Sequence, residues 1–277
     1  MSTQSLSPAS AAKAQKELSE PEDPTAAAEI VASVRGRVVK VQGAEEAERW
    51  DWALLATLRQ CKWDEEKALE GMKGLSHFAA KRSALFKSLS AEEFVGQASI
   101  GMISHLPTRN ERGELVLLIN GSAMNELAQQ HTMQDVLRYS VWYMCHLMKD
   151  EETQVNGAII IENLHNYPML ALNRMQGAGP TGIKASFEWL RASPLRLRGI
   201  YAIHQPWYVG MMLTMVRPFM STKMQSRVAL FGSDTAAMLS VAGLKPEQVP
   251  TEYGGTLSGF DSAWFVKGQV VRTREVC

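Results

Sequence analysis

From Glu93 onward the chain alternates short apolar runs with longer amphipathic segments, which is how a parallel sheet with crossover helices reads in sequence. The runs are Leu115 to Ile119, Ala158 to Ile161, Gly199 to Ile203 and Val228 to Phe231, each bounded by polar or turn residues. Most lack strict alternation, so the predicted strands are buried on both faces. Between the first two, Thr132 and Asp135 form a capping pair that opens a helix carrying Leu137, Val141, Met144 and Met148 along one side. Pro180 to Arg191 and Trp207 to Met220 predict two further helices. Ser233 is the expected N-cap of another, stopped by Gly243 and Pro246.

The chain upstream has a different character. Residues 1 to about 25 are rich in Ser, Ala, Glu and Pro and poor in large apolar groups, so a disordered tail is expected over 1–25. Helix formers dominate from Ala26 to about Leu89, and Trp50, Ala53, Leu54, Thr57 and Leu58 place one apolar stripe at helical spacing, predicting a helical module over 26–90. The sheet domain then occupies 91–257, with a C-terminal extension over 258–277.

Lys+Arg and Asp+Glu both count 29, so the overall charge attracts neither nucleic acid nor anionic surface, and any electrostatic targeting must be local. The three cysteines, Cys61, Cys145 and Cys277, are odd in number and far apart, which fits neither a disulfide framework nor metal-ligand spacing. No apolar run approaches the roughly 20 residues that span a bilayer. A cytoplasmic protein without metal, cofactor or lipid anchor is expected, with nucleic acid excluded as a partner.

Specific motifs sit on this frame. They are Ser193-Pro194-Leu195-Arg196-Leu197-Arg198-Gly199-Ile200, then His204-Gln205-Pro206, then Arg217-Pro218-Phe219-Met220-Ser221-Thr222-Lys223, and Glu252-Tyr253-Gly254-Gly255. Upstream, Leu58 to Ala68 carries an arginine before an aromatic-Asp pair, Trp63-Asp64, and Gln154-Val155-Asn156-Gly157 enters the second strand. In order and spacing these stretches resemble the CRAL-TRIO family of lipid-binding proteins, within it most nearly the tocopherol- and retinaldehyde-binding group. The resemblance runs from about Trp50 to Gly255. It implies a mostly parallel sheet flanked by helices, a small all-helical N-terminal module, and a mobile lid helix over a pocket for one hydrophobic small molecule or lipid.

The residues agree with that implication. From Trp207 to Val216 no side chain is charged, and Met211, Met212, Leu213, Met215 and Val216 surround the helix instead of forming one stripe. Such a helix is either a fully buried core element or a cover with apolar partners on both sides; Gly210 and Pro218 are its flexing points. Matched positions place Leu137, Ser140, Val141, Met144, Glu162, Trp189, Leu197, Ile200, Met211 and Met215 in the pocket. Ser140 either hydrogen-bonds a ligand hydroxyl or back-bonds to the carbonyl four residues earlier. Glu162 ends the apolar run Ile159-Ile160-Ile161 and either faces the cavity, where it needs a partner or a raised pKa, or leaves the sheet to meet water.

Arg196 and Arg198 are two apart at the start of a strand and so point to one side, while Lys223 and Arg227 are four apart and share a face if that turn is helical. The resemblance implies that these four basic residues engage the phosphates of a phosphoinositide, which makes an anionic membrane surface the expected partner and the membrane association transient. The family's fifth basic position falls on Cys61, beside Lys62.

A lipid hydrolase also wants an apolar pocket and a lid, but the chain has no Gly-x-Ser-x-Gly elbow, no Walker phosphate loop, no Gly-x-Gly-x-x-Gly and no His-Glu-x-x-His. The expected function is therefore non-enzymatic: transfer of a hydrophobic molecule between membranes, with a lipid sensor that moves no cargo as the alternative.

Overall fold

The computed structural model describes residues 6–167, 180–217, 220 and 222–276. Its five described strands are β1 (Ile103–His105), β2 (Leu115–Asn120), β3 (Ala158–Asn163), β4 (Leu197–Ile203) and β5 (Val228–Gly232), lying side by side in sequence order. β2 through β5 are parallel, and β1 is antiparallel to β2. The apolar runs thus became the four parallel strands. The antiparallel edge strand, with only three residues, is too short to show a periodicity.

Contacts divide the chain into two compact units: Met1–Ser88 with Ser140–Gly157 and Ile183–Arg196, and Leu89–Tyr139 with Ala158–Gly182 and Leu197–Cys277. The first boundary lies where the composition changes, but the other segments joining the helical unit come from between the strands. The division falls at Ser140, inside the helix Met133–Leu147. That helix opens as predicted, with the Thr132 amide donating to Asp135 Oδ2 at 2.8 Å and the Asp135 amide donating to Thr132 Oγ1 at 3.2 Å.

In the sheet unit, the side chains of Val116, Leu118, Ile159, Ile161 and Ile203 pack with Met238, Leu239 and Ala242 of the helix Thr235–Ala242. Each fully buried Ile or Leu contributes about 1.5–3 kcal/mol, so this face is the unit's core. The N-cap of that helix is Asp234, one residue beyond the expected Ser233: its carboxylate accepts from the Ala237 amide at 2.9 Å, and Gly243 ends the helix in the left-handed region.

Two sequence expectations need correction. Residues 8–18 form a helix, Pro8–Leu18, capped by Ser7, with Ala14 and Leu18 buried beside Val155. Disorder was the expectation because so few apolar groups are present there; the ordering comes from partners about 140 residues away, which local composition cannot reveal. The second correction concerns 258–277, which is part of the sheet unit. Within it, Trp264 Nε1 donates to the His105 carbonyl at 3.0 Å, and the Trp264 and Phe265 rings each lie 4.8 Å from the His105 ring.

Candidate functional site

The sheet's second face differs from its core. Because side chains alternate along a strand, the register places Leu117, Ile160, Ile200 and Val228 in one cross-strand row and Ile119, Glu162, Ala202 and Leu230 in the next. Leu117 and Ala202 are buried, but Ile119, Ile160, Glu162, Ile200 and Val228 keep part of their surface accessible and Leu230 is exposed. This is an apolar face left partly uncovered across the middle of a sheet, with one carboxylate in it.

β3 runs on to Asn163, so Glu162 stays in the sheet and does not leave it for solvent. Burial raises its carboxyl above the usual range. Burial pushes the Tyr167 phenol up to about 12, with smaller contributions from Glu162 and Tyr208.

The helix Trp207–Val216 starts beside them. Tyr208 Oη donates to the Tyr167 carbonyl at 2.6 Å, while Trp207 (84% exposed) and Met211 (55% exposed), one turn apart, face outward. A fully buried core helix is therefore excluded. A Cβ on Gly210 would meet nothing within 4 Å; Pro218 lies outside the described residues, as do the side chains of Met212, Met215 and Val216.

One buried amide fixes the base of this helix, and it was not singled out from the sequence. Asn163 Oδ1 accepts from the His165 amide at 3.0 Å and lies 3.2 Å from His204 Nδ1, and its Nδ2 donates to the Glu252 carbonyl at 2.7 Å. His204 adopts φ 52°, a left-handed conformation that turns the chain out of β4. Gln205 Oε1 then accepts from the Gly232 amide at 3.0 Å, and Pro206 takes the helix N-cap. The Glu-Tyr-Gly-Gly stretch closes the arrangement: a Cβ on Gly254 would meet Thr235 at 2.2 Å, and one on Gly255 would meet the Val249 carbonyl at 1.9 Å.

Of the basic residues, Arg198 and Arg227 come together. Leu197 pairs with Ala158 and Gly199 with Ile159, so Arg198 is the extra residue of a β-bulge, a device that re-aims a side chain. Arg227 lies beside the strand, its carbonyl accepting from the Ile200 amide at 2.8 Å. Its guanidinium is held below the ordinary arginine value by partial burial and by the like charge of Arg198. The helix Thr222–Gln225 ends before Arg227, so Lys223 and Arg227 do not share a helical face; the exposed Lys223 is on the helix and Arg227 in the turn after it. Arg196 belongs to the helical unit, where its guanidinium donates to the Val155 carbonyl.

The expected pocket residues are distributed between the units. Leu137, Glu162, Leu197, Ile200 and Met211 belong to the sheet unit, with Leu137 and Leu197 buried. Ser140, Val141, Met144 and Trp189 belong to the helical unit, where Ser140 and Met144 are half-buried and Val141 fully buried. Trp189 packs into an aromatic cluster there, 5.6 Å from the Phe78 ring and 5.8 Å from the Phe86 ring.

The match to known proteins decides the family: the CRAL/TRIO domain covers residues 101–255, more than half of the chain. The chain belongs to the CRAL/TRIO family of lipid-binding proteins. Clavesin-1 of Rattus norvegicus is 27% identical over 259 residues, which are 92% of this chain and 71% of that protein. Clavesin-2 of Homo sapiens is 27% identical over 259 residues, 92% of this chain and 76% of that one. Among solved structures, Sfh5 shares the fold with a TM-score of 0.54 at 12% identity, covering 97% of this chain and 99% of that one. The CRAL/TRIO match spans all five strands, the outward-facing helix and the Glu-Tyr-Gly-Gly stretch.

Proposed function

We propose that this protein holds one hydrophobic molecule, a lipid, on the half-covered face of its sheet, under the Trp207–Val216 helix, and carries it between membranes. The observation supporting this reading is the pair of cross-strand rows around Ile160, Ile200 and Glu162, partly uncovered and next to a charge-free helix. Covering about 400 Å² of lipid at roughly 25 cal/mol per Å² gives on the order of 10 kcal/mol before ordering costs, enough to retain a cargo. Glu162, with Tyr167 and Tyr208 beside it, gives that cargo a polar end to meet: a protonated carboxyl donates, an ionised one accepts.

Membrane docking falls to Arg198, Lys223 and Arg227. The Arg227 guanidinium feels the like charge of Arg198, which a bound anion relieves, and phosphate oxygens match the guanidinium fork. An anionic headgroup, a phosphoinositide above all, fits that chemistry. Trp207 and Met211, exposed on the outward-facing helix, enter the interface.

The experiment is lipid transfer between two vesicle populations, with and without phosphoinositide in the acceptor. Replacing Arg198 and Arg227 together with Gln should slow transfer to the phosphoinositide acceptor and flatten its salt dependence, while cargo retention is unchanged. Transfer that stays as fast and as salt-sensitive as before refutes the headgroup role. Cargo retention without any transfer identifies a sensor instead of a carrier.

A further inference from the structure

The first turn of the helix Pro8–Leu18 is gathered on the helix Glu151–Asn156 by the Glu152 carboxylate. Glu152 Oε1 accepts from the Ser7 amide at 2.6 Å, and Glu152 Oε2 accepts from Ser10 Oγ at 2.5 Å and Asn156 Nδ2 at 3.0 Å. Asn156 Nδ2 also donates to Ser10 Oγ at 2.8 Å, and Lys13 Nζ donates to Asn156 Oδ1 at 2.9 Å. The apolar part of the contact is small, Leu6, Ala14 and Leu18 around Val155. The first turn is therefore docked by a polar latch, while past the helix C-terminus Glu20 accepts from Arg59, which also donates to Glu151.

Ser10 is buried inside the latch, but Ser7 is exposed, and Pro8 follows it. The Ser7 hydroxyl oxygen accepts from the Ser10 amide at 3.3 Å, so it stands within one residue's reach of the Glu152 carboxylate. An accessible serine followed by proline is the minimal substrate of a proline-directed protein kinase. Here that serine sits at the anionic centre of the latch.

We propose that Ser7 is a phosphorylation site, and that phosphate on it releases the Pro8–Leu18 helix from the Glu151–Asn156 helix. The donor is ATP on a proline-directed kinase: a bond forms between Ser7 Oγ and the γ-phosphorus, the bond from that phosphorus to ADP breaks, and the hydroxyl proton passes to the kinase. The product carries about −1.5 to −2 charge at pH 7 beside the carboxylate that accepts from Ser7 and Ser10. Two effects oppose each other. A phosphate at the N-cap favours the helix itself through its dipole, whereas repulsion from Glu152 disfavours its docking. An 11-residue helix deprived of its partners is marginal in water, so release exposes its backbone, and the measurement must read that exposure. Lys13 is the nearby cation, and its recruitment to the phosphate is the way the proposal fails.

The test uses the full chain phosphorylated by a proline-directed kinase, with Ser7→Ala as the control for incorporation elsewhere. Trypsin cleavage after Lys13 and Lys16, followed by mass spectrometry, should be at least tenfold faster in the Ser7-phosphorylated protein. Phosphorylated Glu152→Gln, which lacks the repelling charge and keeps an acceptor for the Ser7 amide, should return close to the unmodified rate. Absence of incorporation at Ser7, or cleavage no faster after full phosphorylation there, overturns the proposal.

Discussion

Replacing Asn163 with Leu tests whether one buried amide sets the base of the outward-facing helix. The side chain is nearly solvent-free, and the variant loses the contacts to the His165 amide, His204 Nδ1 and the Glu252 carbonyl in one step. A hydrogen bond of this kind contributes about 1 kcal/mol net, so the loss should total about 3 kcal/mol, with more wherever a stranded donor or acceptor finds no water. In a unit of this size 1 kcal/mol moves the melting point by roughly 2–4 °C, which predicts a fall of about 6–12 °C in the calorimetric transition of the sheet unit. His204 holds its left-handed turn through this contact, so chymotryptic cleavage after the exposed Trp207, at the start of the helix, should accelerate in parallel. A melting point within about 2 °C of the parent, with proteolysis unchanged, would mean that Asn163 does not hold the base of the helix.

Trp207→Ala should leave stability within about 0.5 kcal/mol, because the ring is already in solvent, yet weaken partition onto vesicles; equal partition in a sedimentation assay would deny the ring its interfacial role. Burial pulls His105 and His146 from 6.5 to about 4, so their contribution is intact above 6.5 and lost as pH falls through that window, roughly 3 kcal/mol each at its acid end. Urea titrations at pH 7 and pH 4.5 should show that loss, smaller in His105→Phe; a pH-flat midpoint contradicts it. Glu162 works in the opposite sense. Its raised carboxyl is stabilising when protonated, fully so below about 4.5, and that contribution is lost as pH rises through the folded value. Glu162→Gln should therefore raise the melting point of cargo-free protein at pH 8, and an unchanged or lower value counts against an enclosed carboxylate.

The parallel strands were legible because strands buried on both faces announce themselves as continuous apolar runs, and the helix Met133–Leu147 because Thr132 and Asp135 cap it reciprocally. What could not be read depends on distant partners. The Pro8–Leu18 helix is ordered by Glu152 and Asn156, and Trp264 anchors the C-terminal helix on a strand of three residues. Arg198 and Arg227 were picked out by position, but the expected geometry of paired strand and helix spacings is not the one that forms. A bulge at Arg198 and a turn at Arg227 bring them together instead, and neither leaves a mark on residue spacing. Asn163 went unnoticed because an asparagine ending a strand is indistinguishable from an ordinary turn residue until His204 and Glu252 are seen around it.

Native mass spectrometry of the purified chain, followed by lipid extraction, shows whether the protein holds a lipid at all. One hydrophobic molecule per chain is expected, displaced when Ile160 or Ile200 on the partly uncovered sheet face is replaced by Arg, with the fold retained by circular dichroism. A chain that emerges cargo-free from a lipid-rich host and takes up no lipid from added vesicles, while folded, would contradict it.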